Sequence, residues 1–150
     1  MKVDYFTIPE ITVSYKDKVR TSERATVKTT EEAAKILSVA FEDCMEHHEE
    51  AYVLFLNRAA RVLGISCIGK GGISNVNMDV RIILQTALKV SASYILISHN
   101  HTSGSLHPSN EDLILTKNIQ KGCEAVGIQL YDHIILTSES YMSFAEAGLL

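Results

Sequence analysis

Tryptophan is absent from this 150-residue chain, proline occurs only twice, and cysteine three times. The cysteines, Cys44, Cys67 and Cys123, are odd in number and form no Cys-x-x-Cys pair, which excludes a disulfide framework. Each sits in an apolar stretch, so they read as buried free thiols of a reducing compartment. No apolar run approaches the ~20 residues of a membrane span. The opening Met-Lys-Val-Asp-Tyr-Phe lacks the apolar core of a signal peptide. A cytoplasmic protein without membrane contact is therefore expected. An excess of positive charge is also missing. The net charge is −4, which argues against a general phosphate binder and leaves only a local basic patch for DNA.

What the chain does have is ordinary for a soluble globular protein: 46% apolar and 21% charged residues. Its length suits one domain over 1–150, able to bury roughly two-thirds of its unfolded surface. Loose alternation of Tyr5, Thr7, Ile11, Val13 and Tyr15 suggests one or two strands near an edge within 5–19, broken at Pro9. Such an edge could support a homodimer. Thr29 and Glu32 fit a capping box, and Ala33, Ile36, Leu37, Ala40, Phe41 and Cys44 recur at helical spacing up to the acidic stretch 46–50. Strands are expected at 51–56 and 62–68, joined by a hairpin loop over 57–61. A helix follows Asp79, a strand covers 93–98, and a helix opens at Ser109 and closes before Gly127. Strands over 128–136 and 141–144 complete the order ββ-α-ββ-α-β-α-ββ. The fold class is α/β, a mixed sheet with helices packed on it. Ligands in such folds gather where strand ends turn toward helices, and 97–109 is such a place.

That transition holds His99, His101, His107, Ser109 and Asp112. Residues with one residue between them on an extended segment point to the same side, so His99 and His101 can meet one ion. Asp112 can complete a facial set if the loop 102–108 folds the helix start back over the strand end. Three protein ligands and one open position describe a catalytic zinc site rather than a structural one. His-x-His alone is weak, but adding Ser and Asp at fixed offsets lowers the chance expectation to on the order of one in a thousand. Ser109-x-x-Asp112 also reads as a capping box, a role Ser109 can combine with catalysis. Thr102-Ser103-Gly104 after the pair excludes a metallo-β-lactamase pattern. The length excludes an amidohydrolase barrel, and the lack of Pro-Cys-x-x-Cys excludes a zinc deaminase. Gly64-x-x-x-x-Gly69-Lys70 has Gly71 where a P-loop needs Ser or Thr. Asp132-His133 reads as a local hydrogen-bonded pair, with orientation of a metal ligand the lesser alternative. His47 and His48 read as surface residues, and His107 as a loop histidine without function, with ligation or gating the lesser alternative.

The remaining pattern, His99-x-His101, seven residues, Ser109-x-x-Asp112, resembles the JAMM motif of MPN-domain metallopeptidases. The wording "ISHNHTSGSLHPSNEDLILTKNIQ", "GIQLYDHIIL" and "SFAEAGLL" is similar to the bacterial RadC family, from about residue 49 to the C-terminus and more loosely from Thr29. The resemblance implies a fold like that of cytidine deaminases and Zn²⁺ held by His99, His101 and Asp112. It also implies a general-base glutamate just before the first central strand. The residues alone leave Glu46, Glu49 and Glu50 open; the family register matches Glu49, with Glu50 next. Ser109 would then hydrogen-bond the developing oxyanion. Asn100 points away from its neighbours and takes a supporting role, and Gly104 allows a turn with positive φ.

Two features depart from the family. Thr102 stands where proline usually follows the second histidine, which loosens the loop. Residues 1–28 are also too short and strand-like for the helix-hairpin-helix DNA-binding region of full-length relatives, so the chain looks like a truncated form. The expected function is zinc-dependent hydrolysis of an amide or isopeptide bond in an unidentified peptide or protein. The alternatives are a DNA-repair or mobile-element accessory protein acting by binding, and a silent scaffold that pairs with a partner.

Overall fold

The computed structural model describes residue 9 and residues 11–150. A five-stranded mixed sheet runs through the middle of the molecule in the order β2-β1-β3-β4-β5. Its strands are β1 (Glu50–Leu56), β2 (Val62–Lys70), β3 (Tyr94–Asn100), β4 (Gln129–Leu136) and β5 (Tyr141–Ser143). The helices are α1 (Thr30–Ser38), α2 (Val80–Lys89) and α3 (Asn110–Ala125). Only β3 and β4 pair in parallel, because α3 carries the chain back across the sheet between them.

Strand alternation divides the core in two. Ala51, Val53 and Phe55 of β1 and Ile95 and Ile97 of β3 face one side, where they join Ile83 and Ala87 of α2 and Ile119 and Cys123 of α3. Leu54, Leu56, Leu96, Ile134 and Leu136 face the other, where they meet Ala33, Ala34, Leu37 and Phe41. β1 and β3 are buried along nearly their whole length because helices cover both faces.

Local chemistry sets the helix ends. Thr29 and Glu32 form the expected capping box, and Asp79 caps α2 through the Arg81 N–H. Ser109 and Asp112 form a second capping box on α3. Gly127 stops that helix at φ +72 and Gly104 turns the preceding loop at φ +76, both as expected.

Three expectations need correction. The edge strand expected within 5–19 is not there over 11–18, where the chain has no strand conformation; 5–8 lie outside the described residues. Ile11 is 88% exposed and Val13 73%, so their alternation meets no sheet to pair with. A dimer built on that edge loses its support. The helix expected to run through Cys44 stops at Ser38 and continues as a 3₁₀ turn over Val39–Phe41 and further turns. The tighter winding still buries Phe41 and Cys44, which lie three residues apart. Cys67 is exposed rather than buried, because it lies on the edge strand β2. The Gly64–Lys70 stretch lies inside β2, where it cannot cradle a phosphate.

Candidate metal centre

The C-terminal end of β3 and the first turn of α3 converge as the spacing requires. His99 Nε2 lies 2.9 Å from His101 Nε2 and 3.3 Å from Asp112 Oδ1, and His101 Nε2 lies 3.7 Å from Asp112 Oδ2. Donors in a tetrahedral zinc site with bonds near 2.0–2.1 Å stand about 3.3 Å apart. These distances bracket that value, so the three side chains fit one ion.

The capping role of Asp112 does not compete with this. Its Oδ2 accepts the Ser109 N–H at 2.8 Å while its N–H donates to Ser109 Oγ at 3.0 Å. The cap fixes the carboxylate at the helix entrance, turned toward both imidazoles.

The hydrogen bonds also fix where the imidazole protons sit. Ser105 O can only accept, so His101 Nδ1–H donates to it at 2.8 Å. Thr116 donates its one hydroxyl proton to Asp112 O at 2.6 Å. His133 Nδ1–H must then donate to Thr116 Oγ1, also at 2.6 Å. Burial holds the His133 ring well below its ordinary pKa, and the neighbouring His99 pushes the same way. A neutral His133 has a bare Nε2, which accepts from His99 Nδ1–H at 2.9 Å. With Nδ1–H donated elsewhere in both rings, the Nε2 atoms of His99 and His101 are the ones turned toward the Asp112 carboxylate. Such a set calls for a cation, and without a metal it takes a proton. Accordingly Asp112 raises His101 above its ordinary value, against the opposing effect of burial. Burial would raise Asp112, but its hydrogen bonds with His101 and His99 hold it well below the usual carboxylate range.

The β1–β3 register settles where each acidic residue goes. Ala51 pairs with His99, so continuing the antiparallel ladder sets Glu49 across from His101 on the same face. Glu50 faces the other way, toward Tyr52 and Cys44. Glu49 is buried and lines the same cavity as His99, His101 and Asp112. Burial pushes its carboxyl up; His101 and His99 pull it down, and Asp112 adds to the rise. Ser109, Glu46 and His107 also line this cavity of about 780 Å³. Of the described residues along it, none is Lys or Arg.

Asn100 holds the segment that carries Glu49. Its Oδ1 accepts the Glu50 N–H at 2.8 Å. Its Nδ2 donates toward the carbonyls of Cys44, Met45 and His48 at 3.2, 3.0 and 2.9 Å. Glu49 itself is tied by backbone bonds to Gly71 and Gly72. Thr102, in the proline position, donates its hydroxyl to Ile73 O at 2.7 Å, which anchors the loop to the cavity wall.

His133 does more than pair locally with Asp132, and Thr116, which no sequence motif marked, stands behind it. The ring of His133 reaches His99, beyond the local contact in which its N–H donates to Asp132 Oδ1. Asp132 also accepts from Ser143 and Ala145, which brings Phe144 to stack on His133 with centroids 4.4 Å apart. The i, i+4 spacing of Asp112 and Thr116 was the available signal.

The model of a family described as the RadC-like JAB domain matches residues 27–149. A UPF0758 protein of Porphyromonas gingivalis is 40% identical over 103 residues, covering 68% of this chain and 45% of that protein. One from Flavobacterium johnsoniae is 38% identical over 102 residues, 68% of this chain and 44% of its own. One from Aquifex aeolicus is 37% identical over 127 residues, 85% of this chain and 54% of its own. The chain thus spans about half the length of the curated relatives it matches. With the match running from Val27 through His99, His101 and Asp112 to the penultimate residue, the chain belongs to the RadC-like JAB domain family.

Proposed function

We propose that this chain is a cytoplasmic, zinc-dependent hydrolase of the JAMM type, cleaving an amide or isopeptide bond in a peptide or protein. The observation that carries the reading is the convergence of two imidazole Nε2 atoms and a carboxylate, with Glu49 set across from His101. In this reading His99, His101 and Asp112 hold Zn²⁺. When bound, the ion supplies Lewis acidity that brings the pKa of a water toward ~7.

Glu49 would accept the proton of the attacking water and later hand it to the leaving amine. Ser109 Oγ accepts the Asp112 N–H, which leaves its own proton free to donate to the oxygen that gains charge. His133 and Thr116 hold His99 in the tautomer that ligates. The absence of Lys and Arg among the described residues of the cavity lining weighs against nucleic acid as the ligand there.

The test pairs metal content with turnover. Wild-type protein is expected to bind zinc at the triad and cleave members of a peptide and isopeptide panel, followed by mass spectrometry. Glu49→Gln should keep that zinc and lose cleavage, and Asp112→Ala should lose both. Well-folded wild-type protein that binds no zinc at the triad would overturn the proposal.

A further inference from the structure

On the sheet face opposite the His99 centre, three more metal-ligating side chains meet, and the hydrolytic chemistry uses none of them. Cys44, His48 and Glu50 each offer a ligand atom within 4.8 Å of the other two. The turns after α1 bring them together: the His48 N–H donates to Cys44 O at 3.2 Å, setting thiol and imidazole one turn apart. Glu50 follows as the first residue of β1, and its side chain is almost fully buried.

Two of the three candidate ligands, Glu50 and His48, already have an outer partner of the kind that orients metal ligands. Tyr52 OH donates to Glu50 Oε2 at 2.7 Å, leaving Oε1 to face His48 Nε2 at 2.8 Å. His48 Nδ1 lies 2.9 Å from His47 Nδ1. Glu50 Oε1 can only accept, so His48 Nε2–H donates to it in the free protein, and metal binding would displace that proton. Lys70 Nζ, 3.3 Å from Glu50 Oε1, is the cation now at this spot. The Lys70 side chain is 71% exposed and can swing into solvent without disturbing the core.

We propose that Cys44, His48 and Glu50 bind a second Zn²⁺ ion, separate from the His99 centre. One thiolate, one imidazole and one carboxylate, with a position left for water, is a donor set that suits zinc better than harder cations. Burial and the Glu50 charge push the Cys44 thiol up to about 11, so the free protein carries the protonated sulfur. Binding replaces that proton with the metal and releases it to solvent. The ion would clamp the 44–50 segment, which Asn100 also holds through its backbone and which presents Glu49.

The inference does not depend on hydrolase activity, and cobalt distinguishes the two. Only a thiolate ligand gives sulfur-to-cobalt charge-transfer absorption in the near ultraviolet; the His99, His101 and Asp112 set contains no sulfur. Titration of the full chain with Co²⁺ is expected to show two equivalents, with the charge-transfer band bleached by added Zn²⁺. The band should survive Asp112→Ala and Cys67→Ser and disappear in Cys44→Ser. His48→Ala, which removes a half-exposed ring, should weaken the band-forming equivalent at least tenfold and guards against a folding failure in Cys44→Ser. A single equivalent without charge transfer, or a band unchanged in Cys44→Ser or His48→Ala, overturns the second site. Loss of the Asp112-dependent equivalent with the band intact would instead count against the hydrolase reading alone.

Discussion

Replacing Asn100 by aspartate, an isosteric change, should convert the clamp behind Glu49 into a pH-dependent fault. Asn100 is fully buried, and its amide nitrogen faces the carbonyls of Cys44, Met45 and His48. In N100D an acceptor replaces that donor, so the introduced carboxyl is driven neutral in the folded state. The unfolded chain ionises it near pH 3.9, and each pH unit above that costs the folded state about 1.4 kcal/mol while the carboxyl stays protonated. The penalty is therefore about 4 kcal/mol at pH 7 and about 1.5 kcal/mol at pH 5. A neutral carboxyl also has one donor where the amide had two, which adds about 1 kcal/mol at any pH. The sign follows from the raised folded pKa: the folded state binds the extra proton, so stability is lost as pH rises and regained as it falls. N100A loses the same bonds and strands the Glu50 N–H, for about 3 kcal/mol with no pH dependence from this site. Urea unfolding at pH 5 and 7 with a chelator present, each variant against wild type at the same pH, measures both. Equal N100D penalties at the two pH values, or a penalty below about 1 kcal/mol, would refute the clamp.

His133→Phe keeps the stack on Phe144 but removes the acceptor for His99 Nδ1–H. Metal affinity at the triad should fall about 10–100-fold in a chelator competition, with folding retained. The same affinity should drop about tenfold per pH unit once pH falls below the raised pKa of His101, because the ion must displace that proton. Flat affinity between pH 5 and 8 would contradict the proton placement. Gly71→Ala should cost about 1–3 kcal/mol in urea unfolding, since a Cβ there would stand 1.9 Å from Asn75 O. Gly72→Ala, with nothing within 4 Å, should stay within about 0.5 kcal/mol of wild type.

The sequence was legible where a short-range rule decides the outcome. Thr29-Glu32 and Ser109-Asp112 capped helices as their spacing predicts, and His99 and His101 share a face because strand side chains alternate. It was misleading where the outcome depends on a distant partner. Ile11, Val13 and Tyr15 alternate as a strand would, yet a strand exists only if another edge accepts its hydrogen bonds, and residues 11–18 have none. Cys67 lies in an apolar run, but its exposure follows from β2 being the outermost strand, which local pattern does not reveal. His133 is 34 residues from His99, and only the parallel β3–β4 register brings the two rings together.

That register explains how so short a motif can serve two ends. Between 49 and 50, and again between 99 and 100, one step along the strand moves a side chain through the sheet. Glu49, His99 and His101 fall on the side of α3, where Asp112 enters; Glu50 and Asn100 fall on the side of α1, where the turns after Ser38 are gathered. The residue between the two histidines is thus not a spacer. A small apolar residue at position 100 would leave His99 and His101 in place while the Glu50 N–H and three carbonyls lost their partner. The segment bearing Glu49 would then be free to drift from His101. A one-residue slip of β1 against β3 would be worse still, because it would exchange Glu49 for Glu50 and drive Ala51 and Val53 out of the α2–α3 core. The buried apolar side chains of β1 therefore hold the acidic residue in register with the imidazoles, and the geometry of the site is inherited from the packing of the core.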